Sequence, residues 1–350
     1  MSLFRHCHVS VSHMSDASEA RRLARTIALE LGFDVRESED LALVASELAT
    51  NLVKHAQSGQ LIFTSIEDDG RTGIKFQSQD NGPGISDVDQ VITDGFSSTD
   101  SLGYGLGTIN RLMDDFDIRP RPDGKNGTLI TCRRWKRSHI RKHIPGPLSI
   151  GIATRSRPNM SLNGDAFVAE QWNKSVLIAV IDGLGHGQHA NVAAQAAREY
   201  IEEHYDQPLS MLFRGAGRAC RATRGVVMAL ARFDWDRNPI KMSFAGIGNI
   251  EIKVFGCPNP MKFLVQRGVV GLNAPEPIVA EYDWASSYVL VLHSDGLNSK
   301  WQWSDYPELD KASANETARL LLQGLARNDD DATVIVVRKS VSSVVASHDG

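Results

Sequence analysis

Cysteine is scarce. The four present (Cys7, Cys132, Cys220, Cys257) are widely spaced, with no C-x-x-C pair. That spacing argues against a disulfide framework, and it fits a reducing cytoplasm. No apolar run approaches the roughly 20 residues needed to cross a bilayer, so no membrane span is expected. The start, MSLFRHCHVSVSHMSD, lacks a charged region followed by an apolar one, so no secretion signal is expected either. There is no internal repeat and no low-complexity segment. What remains is an ordinary globular composition, 42% hydrophobic and 23% charged over 350 residues. That length suggests about two domains.

Positive charge is missing where nucleic acid would need it. Residues 1–132 carry 12 Lys+Arg against 20 Asp+Glu, a net of −8. That charge argues against a phosphate-backbone ligand there, and no nucleic-acid partner is expected. Residues 133–147 (RRWKRSHIRKHIPGP) carry six Lys+Arg and no acid. Pro145-Gly-Pro147 closes this stretch and a new strand pattern follows, so it reads as a solvated linker. Periodicity predicts helices over 19–31, 38–56, 106–116, 188–204, 209–222 and 315–326. Strands are predicted over 60–67, 72–79, 128–134, 148–154, 166–172, 176–181, 226–233, 241–245, 251–255, 288–293 and 332–338. His6, His8 and His13 are read as a loose, solvated start, and residues 340–350 as a frayed tail. Trp301, Trp303 and Tyr306 form either a recognition surface or a flap packed on the core.

Residues 47–128 hold a first constellation. Glu47, Asn51 and His55 recur at four-residue intervals on one helix face. Asn51 offers a neutral oxygen suited to Mg²⁺, and Glu47 could orient or deprotonate a hydroxyl. Asp80-Asn-Gly-Pro-Gly84 ends a strand, where a carboxylate can accept from an adenine amino group and Gly82 and Gly84 let the backbone approach. Gly103-Tyr-Gly105-Leu-Gly107 runs into a helix whose free N–H groups suit phosphates. In order and spacing these segments, with Gly127-Thr128, resemble the N and glycine boxes of the GHKL ATPase superfamily. The short version here, ending in GLGTINRLMDDFDI, is similar to the serine kinases of the bacterial anti-sigma and stressosome switch group. The resemblance implies ATP with Mg²⁺ on Asn51, adenine on Asp80, and a nucleotide loop at Gly82, Gly84, Gly103, Gly105 and Gly107. It also implies Glu47 as catalytic base, Thr128 beside the nucleotide base, and a lid over 94–102.

A second constellation spans 165–331: Gly164-Asp165, Asp182-Gly-Leu-Gly-His-Gly187, Ser294-Asp295-Gly296 and Asp329-Asp-Asp-Ala-Thr333. Three of these acids flank apolar, strand-like runs, and strands ending at a shared edge would gather them. Unpaired acids in one place repel unless cations neutralise them, and two bound ions can lower the pKa of a bridging water. The set resembles the PPM metal-dependent Ser/Thr phosphatases, most closely the bacterial sporulation and stress-regulator branch. Thr223-Arg-Gly225 and Gly246-Ile-Gly-Asn249 also fit. The resemblance implies two Mn²⁺ or Mg²⁺ ions on Asp182, the Gly183 carbonyl, Asp165, Asp295 and Asp330, with Asp182 bridging and catalytic. Which of Asp329, Asp330 and Asp331 coordinates is left open, with Asp330 preferred because Asp-Asp-Ala-Thr reads from there. Leu184 stands where eukaryotic members carry His. His186 receives no role, and Arg155 and Arg157 are named only as phosphate-gripping candidates.

The expected architecture is α/β (α+β). A Bergerat-type α/β sandwich over 1–134 is followed by a basic linker over 135–147, a SpoIIE-like PPM α-β-β-α sandwich over 148–339, and a tail. The expected function is a cytoplasmic partner-switching regulator that phosphorylates and dephosphorylates Ser or Thr on a STAS-type antagonist or stressosome-type protein. The alternative is an anti-sigma-like module that sequesters a partner without transfer, fused to an active phosphatase. A sigma factor is a second candidate partner, and a homodimer is left open.

Overall fold

The computed structural model describes residues 6–68, 71–83, 105–122, 126–136 and 146–340. The chain divides into two compact units, residues 1–138 and 139–350. Among the described residues no helix is long and apolar enough to cross a membrane.

Among the described residues the first unit is a five-stranded antiparallel sheet in the order β1-β2-β3-β5-β4, packed against three helices. The strands are β1 (His6–Val11), β2 (Gly59–Asp68), β3 (Arg71–Asp80), β4 (Asp115–Pro120) and β5 (Thr128–Trp135). The helices are α1 (Met14–Glu30), α2 (Val35–Ala56) and α3 (Gly105–Leu112). Helix α2 starts at Asp34, whose carboxylate accepts from the Glu37 N–H at 2.7 Å while Glu37 reaches back to the Asp34 N–H at 3.1 Å. This reciprocal cap satisfies two orphan donors. The helix stops at Gln57, in the left-handed region at φ 62°. Its buried stripe of Leu41, Val44, Leu48 and Leu52 meets Leu61, Phe63, Ile74 and Phe76 of the sheet. Phe63 and Phe76 are opposite each other across the ladder and pack edge to face at 4.9 Å, a geometry contributing roughly 1 kcal/mol beyond area burial.

Two expectations fail in this unit. Residues 6–11 are not a loose start: they form β1, held along β2 from His6–Thr64 to Val11–Gly59, with Val9 and Val11 in the core. The helix expected through Phe116 ends at Leu112, and Asp115–Pro120 pair instead with β5. The buried Asp114 carboxylate accepts from the Trp135 N–H at 2.7 Å, and Asp115 pairs with Arg133. Tertiary pairing overrides the local helical pattern there. Residues 137–145 of the expected linker, and the tail from 341, lie outside the described residues.

The second unit is two sheets between two layers of helix. The larger sheet runs β12-β10-β9-β8-β7, with β13 on β10; the smaller runs β11-β14-β15-β6. Its strands are β6 (Leu148–Arg155), β7 (Asp165–Trp172), β8 (Ser175–Gly183), β9 (Val226–Asp234), β10 (Ile240–Ile247), β11 (Glu251–Phe255), β12 (Val265–Gln266), β13 (Ala280–Trp284), β14 (Val289–His293) and β15 (Ala332–Lys339). Its helices are α4 (Gln188–Glu203), α5 (Leu209–Ala219) and α6 (Ala314–Leu325). β8 and β15 are buried on both faces, so they read as continuous apolar runs rather than alternating ones. One core lies between the sheets, from Ile178, Val180, Phe233 and Phe244 to Leu290, Leu292 and Ile335. A second lies under α4 and α5, and a third under α6. Trp301 belongs to the third, beside Phe255 and Leu309, which decides the earlier alternative for it in favour of packing.

Replacing Asp34 with Ala should destabilise the first unit by about 1 kcal/mol, through loss of the cap. Replacing Glu39, which pairs with Arg25 at the surface, should leave stability nearly unchanged, because water screens an exposed ion pair. Urea unfolding of the two variants, followed by a probe in the first unit, checks the ordering.

Candidate functional site

In the first unit the site grows from the end of β3. One oxygen of the Asp80 carboxylate accepts from the Gly82 N–H at 2.8 Å and from the Thr128 N–H at 3.1 Å. The first bond closes a tight turn of the kind Asp favours; the second ties that turn to β5. Gly127 makes the approach feasible. Its φ is +125°, and a Cβ there would stand 2.2 Å from the Asp80 carbonyl oxygen. Arg121 donates to the Asp80 carbonyl at 3.2 Å and to the Asn81 side chain. The end of α2 closes the other side, with Ala56 Cβ 3.0 Å from where a Cβ on Gly82 would stand. One and two turns back on α2 lie Asn51 and Glu47, both half-buried. Asn51 Nδ2 is buried without a partner, as is Asn110 Oδ1 on α3. Buried, unpaired polar atoms beside a turn with a fixed carboxylate fit a polar ligand such as a nucleotide. Gly105 and Gly107 open α3. Gly84, Gly103 and the lid over 94–102 lie outside the described residues.

In the second unit the carboxylates meet where the two sheets end together. Asp165 opens β7 directly opposite Asp182, near the end of β8. Ser294, fully buried after β14, donates to Asp165 Oδ2 at 2.6 Å and accepts from the Thr333 N–H at 3.0 Å. A hydroxyl of the smaller sheet thus fixes a carboxylate of the larger one. Asp295 follows and accepts from Asn249 Nδ2 at 2.7 Å. Gly296 packs on the Asp331 backbone; a Cβ there would lie 1.7 Å from the Asp331 carbonyl oxygen. Asp331 is buried and accepts from the Arg157 N–H at 2.9 Å. Asp330 is half-buried and accepts from the Asp331 N–H at 2.9 Å, and Asp329 is exposed. Asn163 accepts from the Asp165 N–H at 2.9 Å, and its carbonyl takes Asn191 of α4 at 2.8 Å.

The electrostatics follow from that crowding. Burial, then the charges of Asp165, Asp295, Asp330 and Asp331, push the Asp182 carboxyl up to about 9. Burial pushes Asp165 up to about 7 against hydrogen bonds from Ser294 and Thr333, with Asp331 and Asp330 adding to the rise. Asp330 is raised by burial and by Asp295. Burial pulls the His293 imidazole down; its Nδ1 meets the Ser294 carbonyl at 2.8 Å and its Nε2 is buried without a partner. No three His, Cys, Asp or Glu side chains among the described residues already stand in a ready-made metal cage. The donor set nonetheless fits a divalent cation, since hard oxygens that resist ionisation beside one another are what such an ion stabilises.

Comparison with known proteins separates the two halves. Residues 12–133 match the histidine kinase-like ATPase domain family. The chain is 38% identical over 122 residues to the serine/threonine-protein kinase RsbT of Bacillus subtilis (strain 168), covering 90% of that protein and 35% of this chain. The chain belongs to the histidine kinase-like ATPase family. This RsbT-like ATPase unit is joined to a second kind of homology. The phosphoserine phosphatase RsbX of Bacillus subtilis (strain 168) is 22% identical over 148 residues, with 71% of it and 41% of this chain covered. A solved structure described as "The bacterial stressosome: a modular system that has been adapted to control secondary messenger signaling" superposes with a TM-score of 0.51. It is 31% identical, and the match covers 55% of this chain and 99% of that one. Similarity to a serine/threonine-protein kinase and similarity to a phosphoserine phosphatase therefore meet in one polypeptide, with the α/β architecture expected from its sequence.

Several contributors carried no functional signal in sequence. Ser294 was visible only as part of Ser-Asp-Gly, and nothing marked its bond to Asp165. Asn163 and Arg121 likewise act through contacts between distant segments. Arg155 donates through Nη2 to the Arg327 carbonyl, and its Nε is buried without a partner. His186 is exposed in its turn.

The raised carboxyls set a pH dependence. With folded values of about 7 and 9 against an ordinary 3.8, the folded chain holds protons that the unfolded chain has released. Their contribution to stability is complete below about pH 4 and is lost as pH rises through 7 to 9. In the presence of a chelator, the Tm of the second unit should therefore fall between pH 5 and 9. Asp182→Asn should flatten that slope, and Mn²⁺ at pH 8 should restore the wild-type Tm.

Proposed function

We propose that the chain is a cytoplasmic partner-switching regulator with two opposed activities: an ATP-dependent protein serine/threonine kinase in the first unit and a divalent-metal-dependent phosphoserine/phosphothreonine phosphatase in the second. The single observation that carries the phosphatase half is the carboxylate cluster. Burial and the charges of Asp165, Asp295 and Asp330 all raise the Asp182 carboxyl at one sheet edge, and Ser294 and Asn249 hold Asp165 and Asp295 in place. Asp182, the Gly183 carbonyl, Asp165, Asp295 and Asp330 would hold two Mn²⁺ or Mg²⁺ ions. When bound, such ions supply a water acidic enough to attack a phosphoester at neutral pH. Asp330 is preferred over Asp331 because Asp-Asp-Ala-Thr reads from there and because the charge of Asp295 acts on it. The phosphoserine phosphatase relative supports the substrate class.

In the first unit Asp80 would receive the adenine amino group on the oxygen not bonded to Gly82 and Thr128. Asn51 would hold Mg²⁺, the glycines Gly82, Gly84, Gly103, Gly105 and Gly107 would form the nucleotide loop, and Glu47 would take the hydroxyl proton of the acceptor. The kinase relative and the stressosome neighbour support a STAS-type antagonist or stressosome-type protein as the acceptor.

Labelled ATP with a STAS-domain protein should give a phosphorylated product that accumulates in Asp182→Ala and disappears in Glu47→Gln. Absence of transfer in Asp182→Ala, where no phosphatase can hide the product, would reject the kinase. Separately, p-nitrophenyl phosphate hydrolysis should require Mn²⁺ or Mg²⁺ and drop at least about 100-fold in Asp182→Asn, by analogy with losing a principal charge-stabilising group.

A further inference from the structure

Two arginines stand on the rim of the carboxylate cluster with nothing to bind. Arg224 lies in the turn Thr223-Arg-Gly225. The Gly225 carbonyl accepts from the Leu184 N–H at 3.1 Å, which fastens this turn to the segment just after Asp182-Gly183. The Arg224 guanidinium lies over that segment, with Nη1 2.9 Å from where a Cβ on Gly185 would stand. Arg267 lies beside the other flank. The carbonyl of its neighbour Gln266 accepts from the Gly248 N–H at 2.8 Å, next to Asn249, which holds Asp295. Both arginines are exposed, and neither guanidinium has a hydrogen bond, ion pair or ring partner among the described residues. Other arginines of the unit are engaged: Arg198 with Glu202, Arg214 with Glu276, and Arg338 with the Leu309 carbonyl.

The segment that carries Arg267 also exposes apolar surface. Four large hydrophobic side chains between 264 and 279 are unusually open: Leu264 at 52%, Leu272 at 62%, Ile278 at 49% and Val279 at 45% exposed. Leu272 belongs to the Arg224 side, its Cγ 3.4 Å from where a Cβ on Gly225 would stand. This segment is not slack. Gln266 donates to the Glu276 carbonyl at 3.1 Å and accepts from the Ile278 N–H at 2.7 Å, and the Val226 and Val270 backbones bond in both directions. Thr223 caps its own turn, accepting from the Gly225 N–H at 3.0 Å. A pre-shaped rim that leaves leucines and arginines open is organised for a partner rather than for its own core.

We infer that this rim, formed by Arg224, Arg267 and Leu272, is the docking surface for the protein substrate. Its occupant is a phosphorylated segment with acidic and apolar side chains beside the phosphoserine or phosphothreonine. The inference rests on the phosphatase reading above and adds the recognition chemistry to it. An anionic substrate must approach a site whose own charges are negative, so cations at the rim both steer the encounter and set which sequences enter. The buried carboxylates perform the hydrolysis; the two arginines read the flanks. They act on binding of a protein and leave the chemistry of a small phosphoester unchanged.

The test uses the full chain and two synthetic phosphoserine peptides, one flanked by Glu and Leu and one in which Lys replaces each Glu. Wild type with Mn²⁺ should prefer the acidic peptide through KM. Arg224→Glu with Arg267→Glu should raise that KM about tenfold, lower it for the basic peptide, and leave kcat and p-nitrophenyl phosphate turnover within about twofold. Equal KM changes for both peptides, or none, would overturn the docking assignment while the phosphatase reading stands. Binding of the same peptides to Asp182→Asn, read by fluorescence anisotropy, keeps the two readings apart. A charge-dependent preference there supports the rim even if no phosphoester is hydrolysed, and its absence counts against the rim. Loss of wild-type self-association in the double variant, seen by light scattering, would assign the surface to a second copy of the chain and overturn the proposal.

Discussion

Four carboxylates are forced together at one edge of two stacked sheets, and much of the second unit is arranged around that cost. Asp165 and Asp182 face each other across β7 and β8, while Asp295 and Asp330 arrive from the loops beside β14 and β15. Burial removes the water that would screen them, and the neighbouring charges add to the rise at Asp182, Asp165 and Asp330. Such an arrangement persists because the scaffold over-determines it. The Ser294 hydroxyl bridges the sheets to Asp165, the Asn249 amide holds Asp295, and backbone N–H groups hold Asp330 and Asp331. The inter-sheet core behind them supplies the favourable burial that offsets the repulsion.

The first unit solves a different problem with lighter means. A single carboxylate, Asp80, is fixed by two backbone donors and by a glycine that allows its backbone to be approached. Half-buried polar side chains on α2 complete the wall. Phosphoryl transfer asks mostly for positioning and charge stabilisation, so a small site of this kind is chemically adequate.

Both carboxylate and glycine patterns were legible because they are local. Asp182-Gly183, Ser294-Asp295-Gly296 and Asp80-Asn-Gly82 are each a strand end followed by a turn, and their apolar approaches gave the strands away. β8 and β15 were readable as continuous apolar runs for the same reason. Legibility failed where distant segments decide the outcome. β1 alternates His, Cys, His and Val, a pattern that becomes a strand only through its pairing with β2. Asp115 and Phe116 ended a helical pattern read over 106–116 until β5 claimed them for a strand that runs on to Pro120. β13, whose partner is β10, escaped notice too. The hydroxyl and amide side chains that hold the carboxylates left no periodic trace. Their role exists only in the folded chain.

The central claim is that the cluster is built for divalent cations. Calorimetric titration of Mn²⁺ into the full chain at pH 7.5, repeated in buffers of different ionisation enthalpy, counts the protons released on binding. With Asp182 raised to about 9, metal entry must displace roughly one proton. The account predicts saturable binding with that release, both abolished in Asp182→Asn. Absence of binding, or binding with no proton released and no loss in the variant, would contradict it.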